Sequence, residues 1–338
     1  MGAHMSKLPV VFLLGALATS PLSAGTAEEH DNLYAFRASK DLASVEFGGE
    51  SDLLGLGGLG NTRVTAARAA YVSPSLSGDP AVWNTRMHAG FCQEAYSAQD
   101  KSGAPPRDDR PYAGWLYGFV GMGWEDESSL DLLTLRAGVV GPSSLGQNLQ
   151  DAAHDLAGVD RAKGWRTQLR DEPGVDVEWR RTWRIRLAGK ADGFGADVLP
   201  RLGYEVGTVR HLGMGGLQLR AGKNLPLDFG VRTIRDGAVD GAPVKYSRDG
   251  YARLAPDAYY LFLDAQVESR FWDMTLDGNM YHDGNGVKTH AGVARVGFGV
   301  AAHWAGVKVA AGEYFLTEEY KGQDGPSCFG GVTLTTAF

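Results

Sequence analysis

Polar and apolar residues alternate with a period of two over long stretches of this chain, the pattern of strands that bury one face. From Val175 to Leu187 the odd positions read Val175, Val177, Trp179, Arg181, Trp183, Ile185 and Leu187. The even positions read Asp176, Glu178, Arg180, Thr182, Arg184 and Arg186. From Tyr259 to Phe271 the odd face is largely apolar, and the other face carries Asp264, Gln266, Glu268 and Arg270. Ala294, Val296, Phe298, Val300 and Ala302 form a further apolar row, and Val332, Leu334, Thr336 and Phe338 form the last. These stretches run about 9–13 residues, the length of a tilted strand that crosses a bilayer, whereas soluble strands average about 5–6. Aromatic residues at their ends, such as Tyr112 with Trp124 and Tyr259 with Phe271, resemble the girdles at membrane interfaces.

Strands are expected at 43–49, 64–73, 85–97, 112–124, 129–140, 175–187, 196–211, 214–224, 258–271, 288–303, 306–318 and 329–338. Twelve is an even number, as a closed antiparallel outer-membrane barrel requires. The fold class expected is therefore all-β, a twelve-stranded antiparallel transmembrane β-barrel. A chain that ends on an aromatic residue inside a strand, here Phe338, fits the sorting signal of such barrels. Segments 225–256 and 273–287 read as long loops. Leu145 to Leu156 breaks the strand rule and reads as a short helix on the loop between strands five and six.

Composition sharpens this. The 338 residues are 43% apolar and 22% charged, with 47 glycines, which suit closely spaced strands and tight turns. Outside the N-terminus no run of roughly 20 apolar residues marks a membrane helix. Two cysteines exclude a disulfide scaffold and a multi-cysteine metal site. The net charge of −7 argues against a nucleic-acid partner. Residues 1–4 read as a vector-derived scar and 5–27 as a signal peptide, with Lys7 before the apolar run Val10–Ala18 and small residues after it. An N-terminal segment 28–42 would precede the barrel, 43–338. Export permits a disulfide between Cys92 and Cys328; two separate thiols is the other reading. Arg180, Arg184 and Arg186 read as part of a charged network filling the barrel, or as an anion channel. His88, His211, His282, His290 and His303 show no metal-ligand spacing.

One segment carries chemistry. Gln147, Gln150 and His154 fall at i, i+3 and i+7, so a helix puts them on one face, with Asp151 beside them. A histidine with two amides is a candidate proton-transfer site, and a helix that merely caps the barrel is the structural alternative. No Gly-x-Ser-x-Gly elbow is present, and the base these residues offer is His154 acting on a water.

The run Asp109-Arg110-Pro111-Tyr112-Ala113-Gly114-Trp115-Leu116-Tyr117 resembles the signature of the outer-membrane lipid A 3'-O-deacylase family. So do Gly138-Val139-Val140-Gly141-Pro142, Gln147 through Gln150 to His154, Gly164-Trp165, Gln168-Leu169 and Glu172-Pro173. The resemblance spans roughly residues 43–190, and the C-terminal half follows it more loosely through Leu276-Asp277-Gly278-Asn279. It implies a monomeric barrel in the outer membrane that uses calcium to hydrolyse the 3'-linked acyloxyacyl chain of lipid A in lipopolysaccharide. By motif position it implies His154, Gln150, Lys101 and Thr65 as catalytic, with Asp52, Ser51, Thr65 and Asp160 around the metal. Ser51 stands where the family has Asn, and Asn61 to Ala67 is a reduced form of the strand-two motif. Ser51 or Thr65 as covalent nucleophile is the rival to a water. A family barrel without catalysis, structural or lipid-binding in role, and a diffusion channel are the alternative functions.

Overall fold

Strand alternation is realised inside out relative to a water-soluble protein. The computed structural model describes residues 43–55, 64–74, 76, 84–101, 103, 106–126, 128–189, 193–236 and 257–337. The expectations for residues 1–42 and for Phe338 lie outside them. The strands are β1 (Ser44–Ser51), β2 (Val64–Val72), β3 (Asn84–Tyr96), β4 (Ala113–Glu125), β5 (Ser129–Val140), β6 (Glu172–Trp183), β7 (Ile185–Gly189), β8 (Phe194–Gly207), β9 (Arg210–Lys223), β10 (Ala258–Asp273), β11 (Gly292–Trp304), β12 (Val307–Leu316) and β13 (Ser327–Ala337).

Consecutive strands pair antiparallel. β1 pairs with β13, and both β6 and β7 pair with β8, so the sheet closes on itself. β6 and β7 are one barrel strand interrupted at Arg184, whose side chain turns inward to the carbonyls of Leu227 and Asp228. The result is a closed barrel of twelve strand positions, as the alternation predicts. Closure leaves no edge whose backbone groups would be stranded in lipid.

Outward residues such as Leu261, Leu263, Val296, Phe298 and Val300 are exposed, while inward residues are buried and charged. Inward cations meet carboxylates: Arg136 with Glu178 and Glu205, Arg201 with Asp264, Arg220 with Asp197 and Asp228. Pairing is what makes such burial tolerable. Arg180 and Arg184 join this network; Arg186 does not, because it lies on β7 and is exposed.

The expected loop 225–256 differs. Its first part, residues 225–236, folds into the lumen. Asp228 accepts from Lys308 Nζ at 2.7 Å and pairs with Arg220; Asp236 pairs with Arg295 at 2.6 Å. Gln218 and Val231 exchange two hydrogen bonds, at 2.7 and 3.0 Å, and the Ile234 amide donates to Glu50. Residues 237–256 lie outside the described residues. These bonds hold residues 225–236 to several strands inside the barrel, so they occupy part of its lumen.

At the end carrying Ser44 and Ala337 lies the two-residue turn Ala305–Gly306, both with positive φ, as a tight hairpin needs. The long connections 97–112, 141–171, 274–291 and 317–326 are at the other end; the connection between β9 and β10, whose residues 225–236 fold into the lumen, leaves from the first end. Outer-membrane barrels turn long loops to the cell exterior, so this second end faces out.

Candidate functional site

Helix α1 (Gly146–Ala157) sits within the connection between β5 and β6, as expected, and it lies against the outside of the barrel wall. The register shows why. Ser51 pairs with Thr65, Thr65 with Ala95, and Ala95 with Gly114, one row across β1 to β4. Strand neighbours Glu50, Ala66, Glu94 and Trp115 point into the lumen, so this row points outward. Yet all four residues are buried, because α1 and the segments flanking it cover them. Small side chains let the helix approach: a Cβ on Gly114 would collide with Ser144 and Gly146, and one on Gly146 with Gly114.

The helix is amphipathic in reverse. Its buried residues are Gly146, Gln150 and His154, at i, i+4 and i+8. Its far side carries Leu156, 92% exposed, with Leu145 before it and Val159 after it also exposed. Such apolar exposure suits a bilayer rather than water. Gln147, expected on the functional face, is exposed instead and reaches only Asp151, at 3.4 Å.

His154 is 1% exposed. Gly158, in the left-handed region at φ 69°, ends the helix and turns the chain back so that the Asp160 carbonyl meets His154 Nδ1 at 2.7 Å. A carbonyl only accepts, so Nδ1 carries the proton and, in the neutral ring, Nε2 keeps its lone pair. Nε2 has no hydrogen-bond partner among the described residues. Outside the turn, Arg161 pairs with Asp155, and this hydrogen bond holds the Asp155 carboxyl below its ordinary range.

Gln150 is equally fixed. Trp165 Nε1, a donor only, gives its proton to Gln150 Oε1 at 2.8 Å, which sets the amide so that Nε2 donates to Ser97 Oγ at 2.9 Å. Trp165 stacks edge-on against Tyr112, centroids 5.2 Å apart, above Ala95 and Ala98.

The sequence motifs build this platform. Asp109 accepts from the Gln99, Asp100 and Arg110 amides and from Tyr320 Oη, tying the β3–β4 loop to the β12–β13 loop. Arg110 donates to Glu319 and Thr275 and lies over the Tyr96 ring. Glu172 accepts from the Met280 and Tyr281 amides and pairs with His282 Nδ1, while Asn279 exchanges two hydrogen bonds with the Arg170 main chain, each 3.0 Å.

The sequence model described as outer membrane protein LpxR matches residues 56–338. The chain belongs to the LpxR family of outer membrane proteins. Among solved structures, LpxR from Salmonella typhimurium superposes with a TM-score of 0.68 at 16% identity, covering 87% of this chain and 99% of that one. At that identity the likeness shows the barrel fold. The β domain of the Bordetella autotransporter BrkA gives 0.44 at 11% identity, covering 88% and 98%. No curated protein sequence matches. Family and fold together place the chain in the outer membrane.

Within this LpxR-family barrel the expected site residues gather at the long-loop end. α1 contacts β2, β3, β4 and the 3-10 turn Asp52–Leu54. Ser51 Oγ donates to Asp52 at 3.3 Å and accepts from the Leu53 amide at 3.2 Å. Thr65 is 5% exposed, and its Oγ1 has no hydrogen-bond partner among the described residues. Lys101 comes alongside, its carbonyl accepting from the Lys163 amide at 3.2 Å. Asp160 takes part through its main chain, and as a residue it is exposed. Cys92 and Cys328 are both buried and are not joined by a disulfide. Among the described residues no three His, Cys, Asp or Glu side chains converge as metal ligands. Ser97 escaped sequence reasoning, because a lone serine at a strand end gives no pattern. Trp165 was visible as a motif without its partner.

Proposed function

We propose that this barrel is a lipid A ester hydrolase of the outer membrane that removes the 3'-linked acyloxyacyl chain, with His154 as general base and water as nucleophile. The observation that carries this reading is the Asp160–His154 hydrogen bond on the buried face of a helix pressed against the outer wall. A base there meets a lipid that stays in its leaflet, and the long-loop end belongs to the leaflet where lipid A resides.

His154 Nε2 takes a proton from water as the water oxygen attacks the ester carbonyl. The tetrahedral intermediate collapses, and the imidazolium returns the proton to the departing alkoxide, giving acid and alcohol. Gln150 Nε2 has a second N–H left after Ser97, a donor for the developing oxyanion. Lys101 carries a positive charge for the same oxyanion or for a lipid A phosphate. Neither Ser51 Oγ nor Thr65 Oγ1 is bonded to His154, which supports water over a covalent nucleophile.

The donors Ser51, Asp52 and Thr65 are all oxygen, and the orphaned Thr65 Oγ1 is the kind of atom a hard cation satisfies. They would hold calcium together with Asp160, and bound calcium supplies Lewis-acid polarisation of an ester carbonyl. Every group named comes from one chain, so a monomer suffices. Incubating the purified barrel with lipid A and resolving the products tests the reading. Release of the acyloxyacyl acid is expected; unchanged lipid A with folded protein and added calcium overturns it.

A further inference from the structure

Below the row covered by α1, the lipid-facing wall has an unusual floor. The next outward pair toward the membrane centre is Gly49 opposite Ala67. A Cβ on Gly49 would meet nothing within 4 Å, so the wall is open there. The pair after that is Phe47 opposite Ala69, and Ala69 in turn faces Phe91 on β3. Phe47 is 55% and Phe91 70% exposed, so two aromatic ridges rise on either side of an alanine. The Phe91 ring leans over Gly118, away from Ala69. Tyr71 is the next outward residue of β2 and closes the line.

The result is a trough along β2. The ridge strands stand two strand spacings apart, about 10 Å, room for a single alkyl chain. From Thr65 to Tyr71 six residues span about 20 Å, somewhat more than half of the ~30 Å hydrocarbon core. Its head is Thr65, whose buried hydroxyl lacks a hydrogen-bond partner among the described residues. An apolar floor that begins at an unsatisfied hydroxyl matches a ligand with a polar head and a long apolar tail, such as an acyl ester.

We propose that the trough floored by Gly49, Ala67 and Ala69 seats one fatty acyl chain of the ester substrate, with the ester at Thr65 and the chain running toward Tyr71. This rests on the hydrolase reading above and adds which surface selects the chain. Trough residues are then specificity determinants: filling the floor rejects a long chain without touching His154 or Gln150.

The test separates the two readings by measuring binding where turnover cannot occur. In a His154→Ala background, native mass spectrometry gives the apparent Kd for purified lipid A. Adding Gly49→Leu, which enters open space, is expected to weaken binding at least tenfold, and Ala69→Leu to do the same should the first variant fail to assemble. Leu263→Phe on the remote lipid-facing wall is expected to change nothing. Binding within twofold of the background in an assembled trough variant overturns the trough, as does equal weakening by Leu263→Phe or no binding by the background itself. Tenfold weakening together with a wild-type barrel that releases no acid leaves the trough standing and removes the hydrolase reading.

Discussion

The Nδ1 of His154 lies 2.7 Å from the main-chain carbonyl oxygen of Asp160, and that one hydrogen bond decides which ring nitrogen can work. Because the partner is main chain, no substitution at 160 that preserves the turn should alter the tautomer. Asp160→Asn is therefore expected to act through the metal alone: turnover falls tenfold or more at limiting calcium and recovers when calcium is raised. Turnover within a fewfold at limiting calcium removes the Asp160 carboxylate from the ligand set.

His154 itself makes the sharper prediction. His154→Ala is expected to lower turnover of lipid A by about 10²–10⁴, the range for losing a general base. Detergent melting should hardly move, since the strand ladders carry the barrel. A His154→Gln variant that recovers turnover contradicts catalysis and marks the ring as a helix pin.

Gln150 sits between Trp165 and Ser97, so its substitutions report positioning as well as chemistry. Ser97→Ala frees one amide proton and leaves Trp165 bonded; a loss of tenfold or less is expected. Gln150→Ala also strands the buried Trp165 N–H, at about 1–3 kcal/mol, and removes an oxyanion donor, so a larger fall in kcat than in KM is expected. Equal effects of the two substitutions would show that Gln150 only anchors the helix.

How much of this was written in the sequence depends on what each residue touches. Strand positions were legible because lipid outside and paired charge inside impose period two on residues such as Val296 and Arg295. The helix was legible because Leu145 to Leu156 breaks that period. Its orientation was not: spacing put Gln147 with Gln150 and His154, whereas Gly146 takes the place beneath, since only a glycine fits against Gly114. The plug was hidden for another reason. Residues 225–236 read as loop because their burial is satisfied by Arg220, Lys308 and Arg295 from distant strands, a relation invisible to local pattern.

The metal expectation rests on oxygen donors alone. Excess chelator is expected to abolish turnover and added calcium to restore it. Thr65→Val keeps the shape of the buried side chain, removes its unpartnered hydroxyl, and is expected to raise the calcium concentration needed for half-maximal rate. Full turnover in chelator rules the metal out.

Acid should loosen the platform under α1 from the far side. Burial favours the neutral form of Glu319, but Arg110 and Arg270 outweigh it and hold the carboxyl below its ordinary range. A glutamate in an unfolded chain titrates near ~4.3. A depressed folded value means the stabilisation is complete above that pH and is lost as pH falls through the folded value. Glu319→Gln should bring the same loosening to neutral pH, at about 3–5 kcal/mol for a broken buried pair. Faster amide exchange at 97–112 and 317–326 is the readout; unchanged exchange contradicts the brace.

The central claim is that a base on the outer wall acts on lipid A, and the most direct measurement is mass spectrometry of lipid A from cells producing this barrel. At matched levels of assembled protein, the native chain should yield lipid A lacking the 3'-linked acyloxyacyl mass, and His154→Ala should leave it intact. Identical lipid A in both cultures, with and without the histidine, would contradict the account.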